Sequence, residues 1–132
     1  MKDRTVFLVS FLLIALLVVC LYFYGPRQGG IYPPCLFHKI TGLYCPGCGA
    51  TRALHELLHL HISASLDYNL LFVILIPFLI GWYLSYGLST LGIRMNHGIL
   101  FHPSLLKALL LFSCLFAIAR NIPVEPFYRL AP

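Results

Sequence analysis

The sequence predicts an all-α integral membrane protein, with about three transmembrane helices and a short interfacial amphipathic helix that follows a cysteine-rich loop. Three observations carry this. Of 132 residues, 60% are hydrophobic and 10% charged, with a mean hydropathy of +0.88, well outside the range of soluble domains. The apolar residues gather in long runs separated by segments rich in glycine, proline and polar side chains. A chain this short makes one domain, residues 1–132, whose interior is too small to bury several wholly apolar helices, so lipid has to solvate them.

The first run, 5–24, carries no charge and follows Lys2 and Arg4. It is long enough for a helix of about 20 residues to cross the hydrocarbon core. A signal peptide would have a shorter apolar region followed by small residues at a cleavage site, whereas Leu21, Tyr22, Phe23 and Tyr24 form an aromatic belt, so a retained anchor is expected. Gly25 and Pro26 end it. The next stretch, 25–49, contains Gly29-Gly30, Pro33-Pro34, Gly42, Pro46 and Gly47, which punctuate the backbone too often for regular structure; an ordered loop is expected.

From Ala50 the pattern changes. Ala50, Ala53, Leu54, Leu57 and Leu58 recur at helical spacing, with Arg52, His55, Glu56 and His59 on the other side, which predicts the interfacial helix over 50–62. A second span is expected over 68–91, with a kink near Pro77 and Trp82, Tyr83 and Tyr86 toward its far end. A third, shorter one is expected over 105–119, where Lys107 can snorkel, followed by a polar tail over 120–132 at the membrane surface.

The net charge of +5 arises from nine Lys and Arg against four acids. The basic residues stand singly beside apolar runs, a distribution suited to lipid headgroups and not to phosphodiesters, so the bilayer is the expected partner and nucleic acid is not. With the N-terminus inside, Lys2, Arg4, Arg94 and Lys107 oppose Arg27, Lys39, Arg52, Arg120 and Arg129 outside, a balance that sets no orientation.

The chemistry concentrates in Cys45-Pro46-Gly47-Cys48-Gly49, preceded by Cys35. Read as a metal site, Cys45 and Cys48 form a knuckle in which Gly47 and Gly49 let backbone amides turn toward thiolates; Cys35 is a third zinc ligand and His55 the fourth, with His38 and His59 as weaker choices. Read as a redox couple, Cys45 and Cys48 precede a helix N-terminus, whose dipole, with Arg52 close by, favours the thiolate, although no thioredoxin-like alternation of strands and helices surrounds them. The plainest alternative is a structural disulfide in a non-catalytic assembly factor or subunit whose partners are other membrane proteins. Cys20 and Cys114, inside apolar runs, read as small buried hydrophobes. A further class is a membrane zinc hydrolase: His55-Glu56-Leu57-Leu58-His59 puts two imidazoles one helical turn apart with a glutamate between them, but no clear third-ligand motif follows, Asp67 being the nearest candidate. Polar residues at the borders of the runs, Thr51, Arg52, Asp67, Asn69, Arg120 and Asn121, are candidates for a pocket above the cysteines, with Arg120 near Asp67 if the third helix folds back.

The run from Cys35 through Cys45-Pro46-Gly47-Cys48-Gly49-Ala50-Thr51-Arg52-Ala53 to His55, with Asp67-Tyr68-Asn69 and Ala119-Arg120-Asn121-Ile122-Pro123, resembles bacterial membrane proteins grouped as domain of unknown function 2752. The resemblance extends from Cys35 to the end of the chain. It implies a small multi-pass protein of the bacterial inner membrane with the cysteine block between helices, and no established activity. Position by position it singles out Cys35, Cys45, Cys48, Thr51, Arg52, His55, Asn69, Arg120 and Asn121. Glu56 and His59 lie outside the recognised block, and members often show a glycine and an acidic residue where Leu60-His61 stand here. The sequence therefore favours structural zinc binding or thiol redox by Cys35, Cys45, Cys48 and His55 at the membrane interface.

Overall fold

The computed structural model describes residues 2–26, 32, 35–93 and 102–125. The described residues form helices α1 (Lys2–Phe23), α2 (Leu36–Thr41), α3 (Ala50–Leu58), α4 (Ile62–Thr90) and α5 (Pro103–Ala119), and no strand occurs among them. The expectations for Arg27, Arg94 and Arg129, and for the end of the polar tail, lie outside the described residues.

Two helices are long and apolar enough to cross a membrane, and α5 is a shorter apolar one. The 22 residues of α1 extend about 33 Å and the 17 of α5 about 26 Å, against a hydrocarbon core of about 30 Å. The spanning stretches are scarcely covered by protein: 6% of the most apolar window in α1 and 11% of that in α4 is buried. A core helix of a soluble protein would be buried on its apolar face, whereas these helices leave theirs largely uncovered by protein.

The backbone of α4 breaks at Asn69 (φ −162, ψ 92), while Pro77 lies inside a helical stretch. The expected kink thus sits eight positions earlier, for a local reason: Asn69 Oδ1 accepts from the Phe72 N–H at 2.9 Å, the bond an N-cap side chain makes to the third helical residue. A spanning helix of 70–90, about 32 Å long, therefore starts at Asn69, and Ile62–Tyr68 is a separate piece of about two turns leading into it.

α2 was not expected. Its six residues hold neither glycine nor proline, and the chain leaves it through Gly42 (φ 74), whose N–H returns to the His38 carbonyl. At the end of α3 the chain turns through Leu60 (φ 62), the one non-glycine residue with positive φ among those described.

α3 packs most closely on α4, and α1 leans on both. Close approach of α3 and α4 is possible because Ala53 and Ser65, both fully buried, meet there, and the Ser65 hydroxyl donates to the Ala53 carbonyl at 2.7 Å. α1 crosses α4 where the Phe7 ring rests on Gly87; a Cβ on Gly87 would lie 2.3 Å from the ring. Beside it the Ser10 and Tyr83 hydroxyls are hydrogen-bonded at 2.9 Å, which satisfies two polar groups within the apolar layer.

Buried residues are few, and most surround one spot. Cys48, Ala53, Ser65, Asn69, Leu71, Phe116 and Arg120 cluster where the end of α5 and the start of the spanning part of α4 meet the cysteine loop; the largest fully buried side chains are the polar Arg120, Asn69 and Ser65.

Candidate metal centre

The loop between α2 and α3 folds around its own sulfurs. Cys45-Pro46-Gly47-Cys48 forms a tight turn closed by the Cys48 N–H on the Cys45 carbonyl (3.1 Å), and Gly49 (φ 82) takes a left-handed conformation that lets α3 begin at once. The Cys45 N–H points back at Cys48 Sγ (3.3 Å), the amide-to-sulfur orientation expected of a knuckle. Cys35, the N-cap position of α2, brings its thiol over the turn.

Cys35 Sγ lies 3.5 Å from Cys45 Sγ, which lies 3.2 Å from Cys48 Sγ, and all three sulfurs are within 4.8 Å of one another. Among the described residues this is the one group of three or more ligand side chains able to hold a metal ion. The structural disulfide is not found: all five cysteines are free, and the sulfur separations far exceed the bond length of about 2.05 Å. Cys20 and Cys114 are exposed on the apolar helices instead of buried, so they face what those helices face.

The donor set fits zinc. Tetrahedral zinc with bonds of about 2.3 Å to sulfur separates its thiolates by about 3.8 Å, close to the spacing here. The N–H of His38, with the Cys48 and Cys45 thiols, holds Cys35 below the ordinary thiol range, while burial, and then hydrogen bonding with Cys45 and Cys35, pushes Cys48 up to about 12. Deprotonation of Cys35 is thus favoured over that of Cys48.

Three polar side chains hold the turn from behind. Asn69 Nδ2 donates to the carbonyls of Pro46 (2.9 Å) and Cys48 (3.0 Å). Arg120 Nη1 donates to the carbonyls of Cys45 (3.2 Å) and Cys48 (3.0 Å). Asn121 exchanges a pair of bonds with the main chain of Tyr44, each of 2.8 Å, and also donates to the Ala117 carbonyl, which continues α5 into the loop. The Cys45 amide thus faces sulfur while the carbonyls of Cys45, Pro46 and Cys48 face this clamp. The Arg120 guanidinium lies over the Phe116 and Tyr44 rings, 5.1 and 5.9 Å from their centroids, and its Nε and Nη2 are buried without a hydrogen-bond partner among the described residues.

Of the polar-pocket residues expected from sequence, Asn69, Arg120 and Asn121 converge on the cysteine turn. Thr51 and Asp67 are exposed, and Arg52 lies over the Tyr68 ring at 5.9 Å. Arg120 meets backbone carbonyls and not Asp67, because α5 ends against the loop instead of against the start of α4. Tyr44, Ser65 and Phe116 were not singled out; Tyr44 acts through its backbone and its ring, Ser65 through its small size and its hydroxyl, and Phe116 through its ring, roles that residue type alone does not signal.

The histidines go elsewhere. His55 Nδ1 contacts the Leu21 carbonyl at 2.7 Å, one of the unpaired carbonyls in the last turn of α1, and its Nε2 faces Gly25. His55 therefore joins α1 to α3 and is not among the ligands grouped with the sulfurs. His38 stacks on Tyr44 (4.4 Å) with Nδ1 at the Leu43 carbonyl. His59 stacks on Tyr22 (4.3 Å), and Glu56 pairs with His61 at 2.9 Å. His55 and His59 have no third ligand grouped with them among the described residues, and Glu56 pairs with His61.

Fold and site together define a helical protein with two membrane-length helices that gathers three thiols at one end of its bundle. Residues 35–83 match the family described as Protein of unknown function (DUF2752), the family that the cysteine block resembles. Arg120 and Asn121 lie beyond the matched residues. No curated protein and no solved structure matches the chain.

Proposed function

We propose that this chain is a multi-pass protein of the bacterial inner membrane in which Cys35, Cys45 and Cys48 hold a structural zinc ion at the membrane edge. The observation that carries the reading is the approach of three sulfurs from two separate stretches of chain to within 4.8 Å, with no disulfide between them. Bound there, zinc would supply cross-linking energy to a loop that has few apolar contacts of its own. The chain's own residues do the rest. Asn69 and Arg120 fix the turn's carbonyls, the Cys45 amide is aimed at sulfur, and Asn121 fastens the end of α5 to the strand of loop entering the turn. The effect is to tie all three apolar helices to one small centre, α1 through His55 and α3, α4 through Asn69, and α5 through Arg120 and Asn121.

Thiol turnover is the second reading, since a dithiol couple needs two sulfurs and the site gathers three at ligand spacing. Protein purified in detergent without added metal is expected to carry about one zinc per chain, lost in Cys45→Ser and in Cys35→Ser. Metal-free protein whose Cys45 and Cys48 alternate between alkylatable and oxidised states as the cellular redox poise changes would replace the zinc reading with the redox one.

A further inference from the structure

Arg120 is an expensive residue to place where it is. It is 1% exposed, and two of its nitrogens have no hydrogen-bond partner among the described residues. A buried guanidinium costs several kcal/mol unless an opposite charge lies close. Among the described residues its guanidinium meets backbone carbonyls and the faces of the Tyr44 and Phe116 rings, and it forms no ion pair with a carboxylate. Its hydrogen bonds run to the carbonyls of the two cysteines that close the turn. Among the described residues, the sulfurs of that turn, once ionised around a metal, are the groups placed to balance it. Resting on the zinc reading, the arithmetic is specific: a divalent ion with three thiolates leaves a single negative charge, the complement of one guanidinium, whereas a monovalent ion with the same ligands leaves two.

We infer that Arg120 is the built-in counter-ion of the trithiolate centre, a positioning residue outside the ligand set that matches the site to a divalent, thiol-seeking metal ion through its charge. The hydrogen bonds set where the guanidinium sits; its charge is what the metal centre needs. A hydrogen-bonding role alone would be served equally by an uncharged amide.

The experiment compares zinc affinity, measured by competition with a chromophoric chelator, for the full-length detergent-purified protein and its Arg120→Lys and Arg120→Gln variants. Lys keeps the charge and loses the planar fork; Gln keeps a donor and loses the charge. Outer-sphere partners of metal sites are worth about 10–100-fold in affinity, so R120Q is expected to bind zinc at least about tenfold more weakly than R120K. A smaller difference between the two variants overturns the inference. Where R120Q fails to fold, R120K decides: affinity within about fivefold of wild type supports the charge role, and a larger loss overturns it. Wild-type protein that binds no zinc removes the metal reading itself, an outcome separate from a wild type that binds and variants that do not differ.

Discussion

Asn69 donates through Nδ2 to the Cys48 carbonyl at 3.0 Å, while its Oδ1 accepts from the N–H of Phe72. One amide side chain thus starts the second spanning helix and holds the thiol turn, so the depth of the helix and the shape of the site are set by the same group. Asn69→Ala removes the cap and leaves the Pro46 carbonyl without its donor; it is expected to lower stability by about 2 kcal/mol and to weaken zinc binding. Asn69→Asp keeps the cap acceptor without the donors, so it should recover part of the stability and little of the metal affinity. Thermal unfolding and chelator competition on the two variants test this, and equal behaviour of both would show that capping and site are not coupled.

His55 was expected as a fourth ligand and is found on the Leu21 carbonyl. His55→Ala should therefore leave zinc content unchanged and lower stability by about 1–2 kcal/mol, through the lost hydrogen bond at the end of α1. Metal analysis of this variant is decisive: loss of the ion would return His55 to the ligand set.

Leu60 holds a left-handed backbone conformation with its side chain 82% exposed, so it suffers the steric cost and has little packing to lose. Leu60→Gly is expected to stabilise the protein by about 1 kcal/mol. A fall in the thermal midpoint would mean that the α3–α4 turn is shaped otherwise.

The α1–α4 crossing depends on the absence of a Cβ at Gly87 under the Phe7 ring. Gly87→Ala should cost about 1–3 kcal/mol by overpacking, and the same change in a Phe7→Leu background should cost less. Additive effects in that double-mutant cycle would show that the two residues do not meet.

The fold class was legible because apolar runs of spanning length need only composition and length to be read. The break in α4 was not, since proline is the conspicuous helix breaker and an asparagine acts only through a partner, here the Phe72 amide and the loop carbonyls. The three sulfurs were legible from residue type and spacing. The missing imidazole was not: His55 lies within one turn of the cysteine block, but whether its ring points to sulfur or to a helix end depends on where α1 finishes. Asn69, Arg120 and Asn121 could be marked as polar groups at membrane borders, while their shared target, the carbonyl side of the cysteine turn, became apparent only once the loop had a conformation.

X-ray absorption at the zinc edge, on protein purified in detergent, measures the central claim directly. Three sulfurs at about 2.3 Å from the metal, reduced in number in Cys45→Ser, are the predicted first coordination sphere. A sphere made mainly of nitrogen and oxygen donors, or one unchanged by that substitution, would contradict it.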